Sequence, residues 1–450
     1  MNANLQAATP AGALTDTIEA QPHGAHDIHP GDIAIGVIIG RTSEFFDFFV
    51  FGIAAALVFP QVFFSFTDPM QGTVYSFLLF ALAFIARPFG SLLARLIHRR
   101  YGRGTKLTFA LFVLGTATAG IAFLPGYAVL GSNAILLLAL FRIAQGIGLG
   151  ASWDGLPSLL ALNAPPGQRG WYAMVPQLGA PIGFIIAAAV FAYLRVNLAD
   201  ADFYDWGWRF PFYVAFAINV VALFARLRLV VTPEFAHLLE TRALEPSPLG
   251  ELFRLQWRNV LLGALAPLAS YALFHLVTIF PLSWVTLFTK ESVAEYLVVE
   301  ICGAGLAVLT MLISGKLANR YGRRTTFGFG AALVAVFSVA GLMPLFLKGT
   351  TTGAYIFILA GFALLGFTHA QASGIVNSSF ATRFRYSGAV LTSDFGWLLG
   401  AAFAPLVALQ IATHLGVGYV GLYLLSGAVV TLIALWMSRS VDTSAVPAGR

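Results

Sequence analysis

Charged side chains lie inside long apolar segments of this sequence, where an uncompensated charge is costly. Arg41, Glu44 and Asp47 follow one another at intervals of three residues, so on a helix they share one broad face. The spacing allows Arg41 to pair with Glu44, which leaves Asp47 to face an internal cavity. A charge at the centre of a membrane span costs at least about 2.5–3.5 kcal/mol. We therefore interpret Glu44 and Asp47 as carboxylates that exchange protons, with a structural ion pair as the alternative.

A second group of candidates follows on one later apolar segment. Arg142 lies near its middle, with Gln145 one turn on. The planar guanidinium could bind the carboxylate of a small molecule, or it could hold Asp47, and the sequence favours neither. Asp154 could serve as a site carboxylate or as half of a gate ion pair. Trp153 could stack on a ligand, with plain packing as the alternative.

Four more ionisable residues interrupt apolar segments. Arg87 precedes Pro88, so it could bond carbonyls that the proline leaves without a donor. His275 is interpreted as the only histidine in the middle of a span, either a proton relay or a hydrogen-bonded helix contact. Glu300 is expected to reach water near the end of its segment. Asp394 is either a functional carboxylate or the partner of an arginine at a gate.

A charged turn occurs twice, at an offset of 220 residues. Arg99-Arg100-Tyr101-Gly102-Arg103 returns as Asn319-Arg320-Tyr321-Gly322-Arg323, followed by Arg324, and each copy separates two apolar segments. Matching turns in the two parts of the chain indicate duplication. Duplicated membrane-embedded halves that rock against each other are typical of secondary transporters.

The composition predicts a multi-pass membrane protein. Of 450 residues, 58% are hydrophobic and only 10% are charged, with a mean hydropathy of +0.81, whereas soluble domains carry about 25% charge. The net charge of +6 lies in short loops between apolar segments, which argues against a nucleic-acid partner. Segments of about 20 apolar residues predict an all-α fold of twelve spans in two six-helix halves. These spans are 33–60, 71–95, 105–127, 132–160, 170–194, 208–230, 258–288, 295–318, 325–347, 354–378, 387–413 and 416–437.

The predicted organisation has five parts. Residues 1–32 are expected to form a disordered tail, 33–230 the first half, 231–257 a linker, 258–438 the second half and 439–450 a second tail. Arginine and lysine concentrate in the two repeated turns and in the linker. The positive-inside rule therefore places both termini in the cytoplasm and the chain in the inner membrane.

Several motifs resemble those of the major facilitator superfamily, and within it the metabolite:proton symporters. Glu44-Phe45-Phe46-Asp47-Phe48-Phe49 is similar to the family's Glu-Trp-Tyr-Asp-Phe-Phe run, and Arg142-Ile143-Ala144-Gln145-Gly146 to its fourth-span motif. The second repeated turn, which begins at Gly315, resembles Gly-x-x-x-Asp-Arg-x-Gly-Arg-Arg with Asn319 in place of Asp. The first copy departs further, and Ser152 stands where the family usually has Glu. The resemblance covers about 30–438.

The resemblance implies a gating role for the repeated turns. In the family these turns lock the inner gate by pairing with acids and helix ends. The residues concerned here are Arg99, Arg100, Gly102, Arg103, Gly315, Asn319, Arg320, Gly322, Arg323 and Arg324.

The resemblance also implies a monomeric carrier that imports a small metabolite with protons by alternating access. Arg41, Arg87 and Arg142 favour a carboxylate over a zwitterion such as proline or betaine. A proton-driven exporter and a non-transporting receptor are further alternatives. No phosphate-binding loop, metal cluster or soluble enzyme domain is recognisable, so we expect no enzyme, no cofactor and no metal. The expected partners are the substrate, protons and the lipid bilayer.

Overall fold

The computed structural model describes residues 30–152, 160, 164–165, 167–230, 247–339, 350–373, 375 and 380–444. All regular structure in these ranges is helical, and it comprises eighteen α-helices with short 3₁₀ turns. The helices are α1 Pro30–Leu57, α2 Phe59–Val62, α3 Pro69–Phe123, α4 Tyr127–Leu130, α5 Ser132–Ser152, α6 Arg169–Met174, α7 Gly179–Asn197, α8 Asp200–Asp205, α9 Phe210–Val230, α10 Leu249–Leu265, α11 Leu268–Thr278, α12 Phe280–Phe288, α13 Val293–Tyr321, α14 Arg323–Val339, α15 Thr351–Ala372, α16 Arg385–Gly400, α17 Ala404–His414 and α18 Val420–Ser444. We call residues 30–230 the first half and residues 247–444 the second half.

Ten segments of the described chain are long and apolar enough to cross a membrane. They are Pro69–Gly102, Gly104–Phe123, Ser132–Ser152, Arg169–Asn197, Gly207–Phe224, Leu249–Phe288, Val293–Tyr321, Thr351–Ala372, Arg385–His414 and Val417–Ser438. Two of the twelve predicted spans are not among them. Helix α1 has 28 residues but carries three charges within seven positions, and the described part of α14 has 17 residues. The count of twelve therefore stays a prediction.

The repeated turn of the sequence is also a repeat in the structure. Gly102 and Gly322 have φ angles of +84° and +88°, a backbone conformation that favours glycine over other residues. Each glycine ends one long helix and is followed at once by the next. We call the side of the protein that carries these turns the loop side.

Close glycine contacts repeat with the turns. Gly146 of α5 lies against the backbone of Ala83 in α3, and Gly366 of α15 lies against Ala307 in α13. A Cβ added at these glycines would be 2.3 and 2.2 Å from the respective carbonyl oxygens. Small residues allow membrane helices to approach this closely, so the two halves share one packing rule.

The halves contact each other on the loop side and on the opposite side. On the loop side, Gly170 of α6 packs against Ala318 of α13, and the Arg95 guanidinium bonds the carbonyl of Ser247. On the opposite side, Gly52 of α1 packs against Ile279, which lies between α11 and α12. Residues of both halves also line a common cavity.

Candidate functional site

The cavity between the halves combines charged and aromatic side chains. The first half contributes Arg41, Glu44, Arg87 and apolar residues, and the second half contributes Trp397. The full lining is Arg41, Glu44, Phe45, Phe48, Ala83, Phe84, Arg87, Leu149 and Trp397. The cavity measures about 30 Å³, which is room for about two water molecules. A metabolite is larger than this space, so its binding in the cavity requires the halves to move apart.

One ion pair of the cavity lies within α1. Arg41 Nη1 is 2.7 Å from Glu44 Oε2, as the spacing of three predicted. The hydroxyl of Ser152 donates to the other carboxylate oxygen of Glu44 at 3.1 Å. Ser152 replaces the glutamate of the family motif, so it bonds the one cavity carboxylate instead of adding a second.

A second ion pair joins the halves. Arg87 Nε of α3 lies 2.8 Å from Asp394 Oδ1 of α16, and the Ser91 hydroxyl donates to Asp394 Oδ2 at 2.5 Å. The same hydroxyl is 3.1 Å from the carbonyl of Gly150 in α5. Asp394 is 2% exposed. Of the two interpretations for Asp394, the structure shows the pairing with an arginine. Arg87 pairs with this acid, whereas the sequence had suggested that it could bond carbonyls near Pro88.

Asp47 does not face the cavity, contrary to the expectation from its spacing. It is 1% exposed and lies inside the first half. Thr118 donates to its Oδ1 at 2.8 Å, and the amides of Gln145 and Asn219 lie 3.4 and 3.5 Å from its carboxylate oxygens. The carboxylate turns to these partners because α3, α5 and α9 surround that side of α1.

Arg142 belongs to the same buried cluster. Its guanidinium donates to the carbonyl of Phe80 at 3.3 Å and to Gln145 Oε1 at 3.0 Å, and it stacks 3.8 Å from the ring centre of Phe51. Gln145 links Arg142 to Asp47, because its amide nitrogen lies 3.4 Å from Asp47 Oδ2. Arg142 is fully buried, so it is not placed to contact a molecule in the cavity in this conformation.

An aromatic layer packs around Phe48, Phe84 and Trp397, which line the cavity. Within the layer, Tyr271 and Trp397 are stacked, with ring centres 4.2 Å apart at an interplanar angle of 17°. Phe48 and Phe84 pack against Trp397 from the first half. The layer therefore consists of side chains from both halves, and it must rearrange if the halves separate.

Two histidines lie in this layer, although the sequence identified only His275 inside a span. His275 is fully buried among rings such as Phe48 and Phe80, and within the described chain neither ring nitrogen has a hydrogen-bond partner. His369 is equally buried on α15, with Nδ1 3.2 Å from the Ser270 hydroxyl. His369 lies inside the tenth predicted span, 354–378, so the interpretation of His275 as the only histidine in the middle of a span was wrong.

The second copy of the repeated turn is held firmly by its neighbours. Asn319 Oδ1 accepts the backbone N–H of Trp171 at 3.0 Å, in the first turn of α6. Arg323 donates to Gln371 Oε1 and to the carbonyl of Ser373, and Arg324 bonds the carbonyl of Leu435. Asn319 thus makes a helix-end contact through its amide oxygen, for which an aspartate is not required.

The remaining turn residues are less engaged. Arg99 and Arg100 of the first copy are exposed, as is Arg320 of the second. Gly315 packs against Trp171 and Met174. The side chain of Arg103 is outside the described part of the chain, as are Trp153 and Asp154.

Sequence reasoning missed several residues around the cavity. Ser91 and Tyr271 carry no signal beyond ordinary polar positions in apolar segments. Trp397 follows Asp394 by three residues, so the sequence segment that singled out Asp394 could also have drawn attention to Trp397. Glu300 is fully buried, which contradicts the expectation that it reaches water.

Comparison with known proteins identifies the family. The family described as sugar and other transporters matches residues 33–245. The inner membrane metabolite transport protein YhjE of Escherichia coli K12 is 36% identical over 414 residues, covering 90% of this chain and 93% of that protein. The shikimate transporter of the same organism is 27% identical and covers 90% of this chain and 94% of its own length.

Solved structures share the fold. The proton:xylose symporter XylE of Escherichia coli, bound to 6-bromo-6-deoxy-D-glucose, superposes with a TM-score of 0.71 at 16% identity. The match covers 91% of this chain and 95% of that one. Together with the identity to YhjE across nine-tenths of the chain, it shows that the chain belongs to the major facilitator superfamily, among its sugar and metabolite transporters, and is a multi-pass membrane transporter and not an enzyme.

Proposed function

We propose that the protein imports a small organic acid together with protons across the inner membrane. The observation that carries the proposal is the cavity between the halves, where Arg41 and Arg87 stand beside Glu44. Guanidinium groups bind carboxylates through paired donors, and a carboxylate beside them can accept a proton. Relatives named as a metabolite transport protein and a shikimate transporter support this class of substrate.

Charge balance explains how the two solutes are coupled. In the paired state Arg41 and Glu44 sum to zero charge. A proton on Glu44 releases Arg41 to bind the substrate carboxylate, and the loaded site again sums to zero. A proton alone or an anion alone leaves a net charge in a low-dielectric cavity, which is costly. Only the empty and the doubly loaded carrier therefore change conformation readily.

We assign this proton to Glu44 and not to Asp47 because Glu44 lines the cavity. Asp47, with its bonds to Thr118, Gln145 and Asn219, holds α1 to three neighbouring helices. In the proposal, a proton on Asp47 would loosen this cluster as a second step. The Arg87–Asp394 pair serves as the link that must open before the substrate reaches the loop side.

The experiment begins with a thermal-shift screen of the purified protein against carboxylates, amino acids and betaines. The best ligand is then followed as labelled substrate in proteoliposomes. Glu44→Gln should lose uphill uptake driven by a proton gradient but retain exchange of internal for external substrate. The matched control is Asp202→Asn, which changes an exposed acid. Normal accumulation by Glu44→Gln would show that Glu44 is not the coupling residue.

The screen also separates the alternative functions. Stabilisation by betaines alone would favour a zwitterion carrier. Loss of preloaded substrate under an inward proton gradient would indicate export, and binding without any flux would indicate a receptor.

A further inference from the structure

Glu300 is a buried carboxylate that no contact of the described chain explains. It lies on α13, two turns after the helix begins, and it is fully buried. Neither of its carboxylate oxygens has a hydrogen-bond partner among the described residues. An ionised carboxylate in apolar surroundings is costly unless it is paired, so these surroundings suit the protonated form of the side chain.

The fold itself does not require an acid at this position. The repeated turns are offset by 220 residues, so Phe80 of the first half matches Glu300 of the second. Phe80 is also fully buried. An apolar side chain is thus sufficient for packing at this place in the first half.

Polar groups connect Glu300 to the surface opposite the loop side. Tyr296 lies one turn earlier on the same face of α13 and is buried. Glu291 precedes the helix, accepts a bond from Thr351 and is partly exposed. The sequence of groups from water inward is Glu291, Tyr296 and Glu300.

The neighbouring helices provide no counter-charge among the described residues. Helix α12 has no titratable side chain, and α15 contributes Tyr355 near this end, whose hydroxyl donates to Glu295 at 3.3 Å. Helix α7 contributes Tyr193, which is 68% exposed, and Arg195, which pairs with Asp200. The described part of α14 has only Arg323 and Arg324, at its loop-side end.

We infer that Glu300 is a second proton-binding site, separate from the central cavity, which exchanges its proton with the side opposite the loop side through Tyr296 and Glu291. The site stands whether or not the central cavity couples protons to a substrate. It adds a proton acceptor to the second half, where the sequence had indicated Asp394 and His275.

Infrared spectroscopy of the purified protein tests the inference. The wild-type protein should show a protonated-carboxyl band that Glu300→Gln loses and that Glu295→Gln, an exposed acid on the same helix, retains. Raising the pH should diminish the band in the wild type, and Tyr296→Phe should slow its exchange with deuterium. Identical bands in wild type and Glu300→Gln would overturn the inference, as would a band that does not respond to pH.

Carbodiimide labelling of the wild-type protein provides a test that does not depend on the folding of a variant. Carbodiimides modify protonated carboxyl groups in apolar surroundings, and mass spectrometry identifies the residue modified. Glu300 should be labelled in preference to Glu295, and raising the pH should suppress the labelling. Equal labelling of the two residues would contradict a protonated Glu300. Neither assay measures transport, so failure of the central coupling proposal would not be mistaken for failure here.

Discussion

Two side-chain contacts between the halves differ in charge. In one, Asp394 of α16 bonds Arg87 and Ser91 of the first half. In the other, Gln177, between α6 and α7, donates to Ser373 at 2.7 Å. We call them the charged contact and the neutral contact. Since the neutral contact joins the halves through one amide and one hydroxyl, a contact between the halves does not by itself require charge. We therefore expect the ion pair of the charged contact, and not the neutral contact, to matter for transport.

The largest effect is expected from breaking the charged contact on one side only. Arg87→Gln leaves Asp394 buried without its cation, and loss of one partner of a buried pair typically costs about 3–5 kcal/mol. Asp394→Asn should behave similarly. Thermal unfolding in detergent should show both single variants well below wild type.

The double variant Arg87→Gln, Asp394→Asn sharpens this test. It removes both charges, so it should be more stable than either single variant while transport stays impaired. A double variant that is destabilised by the sum of the two single changes would show that the two residues do not interact.

The next effect should be equal in the two halves, because it concerns packing and not charge. Gly146→Ala and Gly366→Ala each bring a Cβ against a carbonyl oxygen. Overpacking of this kind typically costs about 1–3 kcal/mol. Gly305→Ala, where the added Cβ meets no atom within 4 Å, is the control and should melt like wild type. Tolerance of alanine in only one half would contradict the common packing rule.

A smaller effect is expected at the neutral contact. Ser373→Ala removes one hydrogen bond from Gln177, which is worth about 1 kcal/mol. The variant should melt slightly below wild type, and uphill uptake should persist. A loss as severe as that of Arg87→Gln would erase the proposed distinction between the two contacts.

The smallest effect should come from an ion pair in water. Arg195 and Asp200 are 2.8 Å apart, with the aspartate side chain 78% exposed. Exposed pairs contribute about 0–1 kcal/mol. Asp200→Asn should therefore leave the melting temperature and uptake almost unchanged. A marked loss would mean that burial is not what distinguishes the charged contact.

The sequence predicted the helical class, the repeat and the family, because apolar segment length and the repeated turn are local signals. It also predicted the Arg41–Glu44 pair, which depends only on spacing within one helix. It misplaced Asp47 because helix spacing says which residues share a face and not which neighbour covers that face. The Arg87–Asp394 pair spans about 300 residues of chain, so no local pattern could reveal it. Glu300 was misjudged because depth along a helix does not report burial by other helices.

The central claim is that one proton accompanies each carboxylate through the cavity between the halves. The most direct measurement follows labelled monocarboxylate and internal pH together in proteoliposomes of the wild-type protein, under an inward proton gradient. We predict that proton entry requires the substrate and that the two fluxes are equal in number. Substrate uptake without proton movement, or proton movement without substrate, would contradict the account.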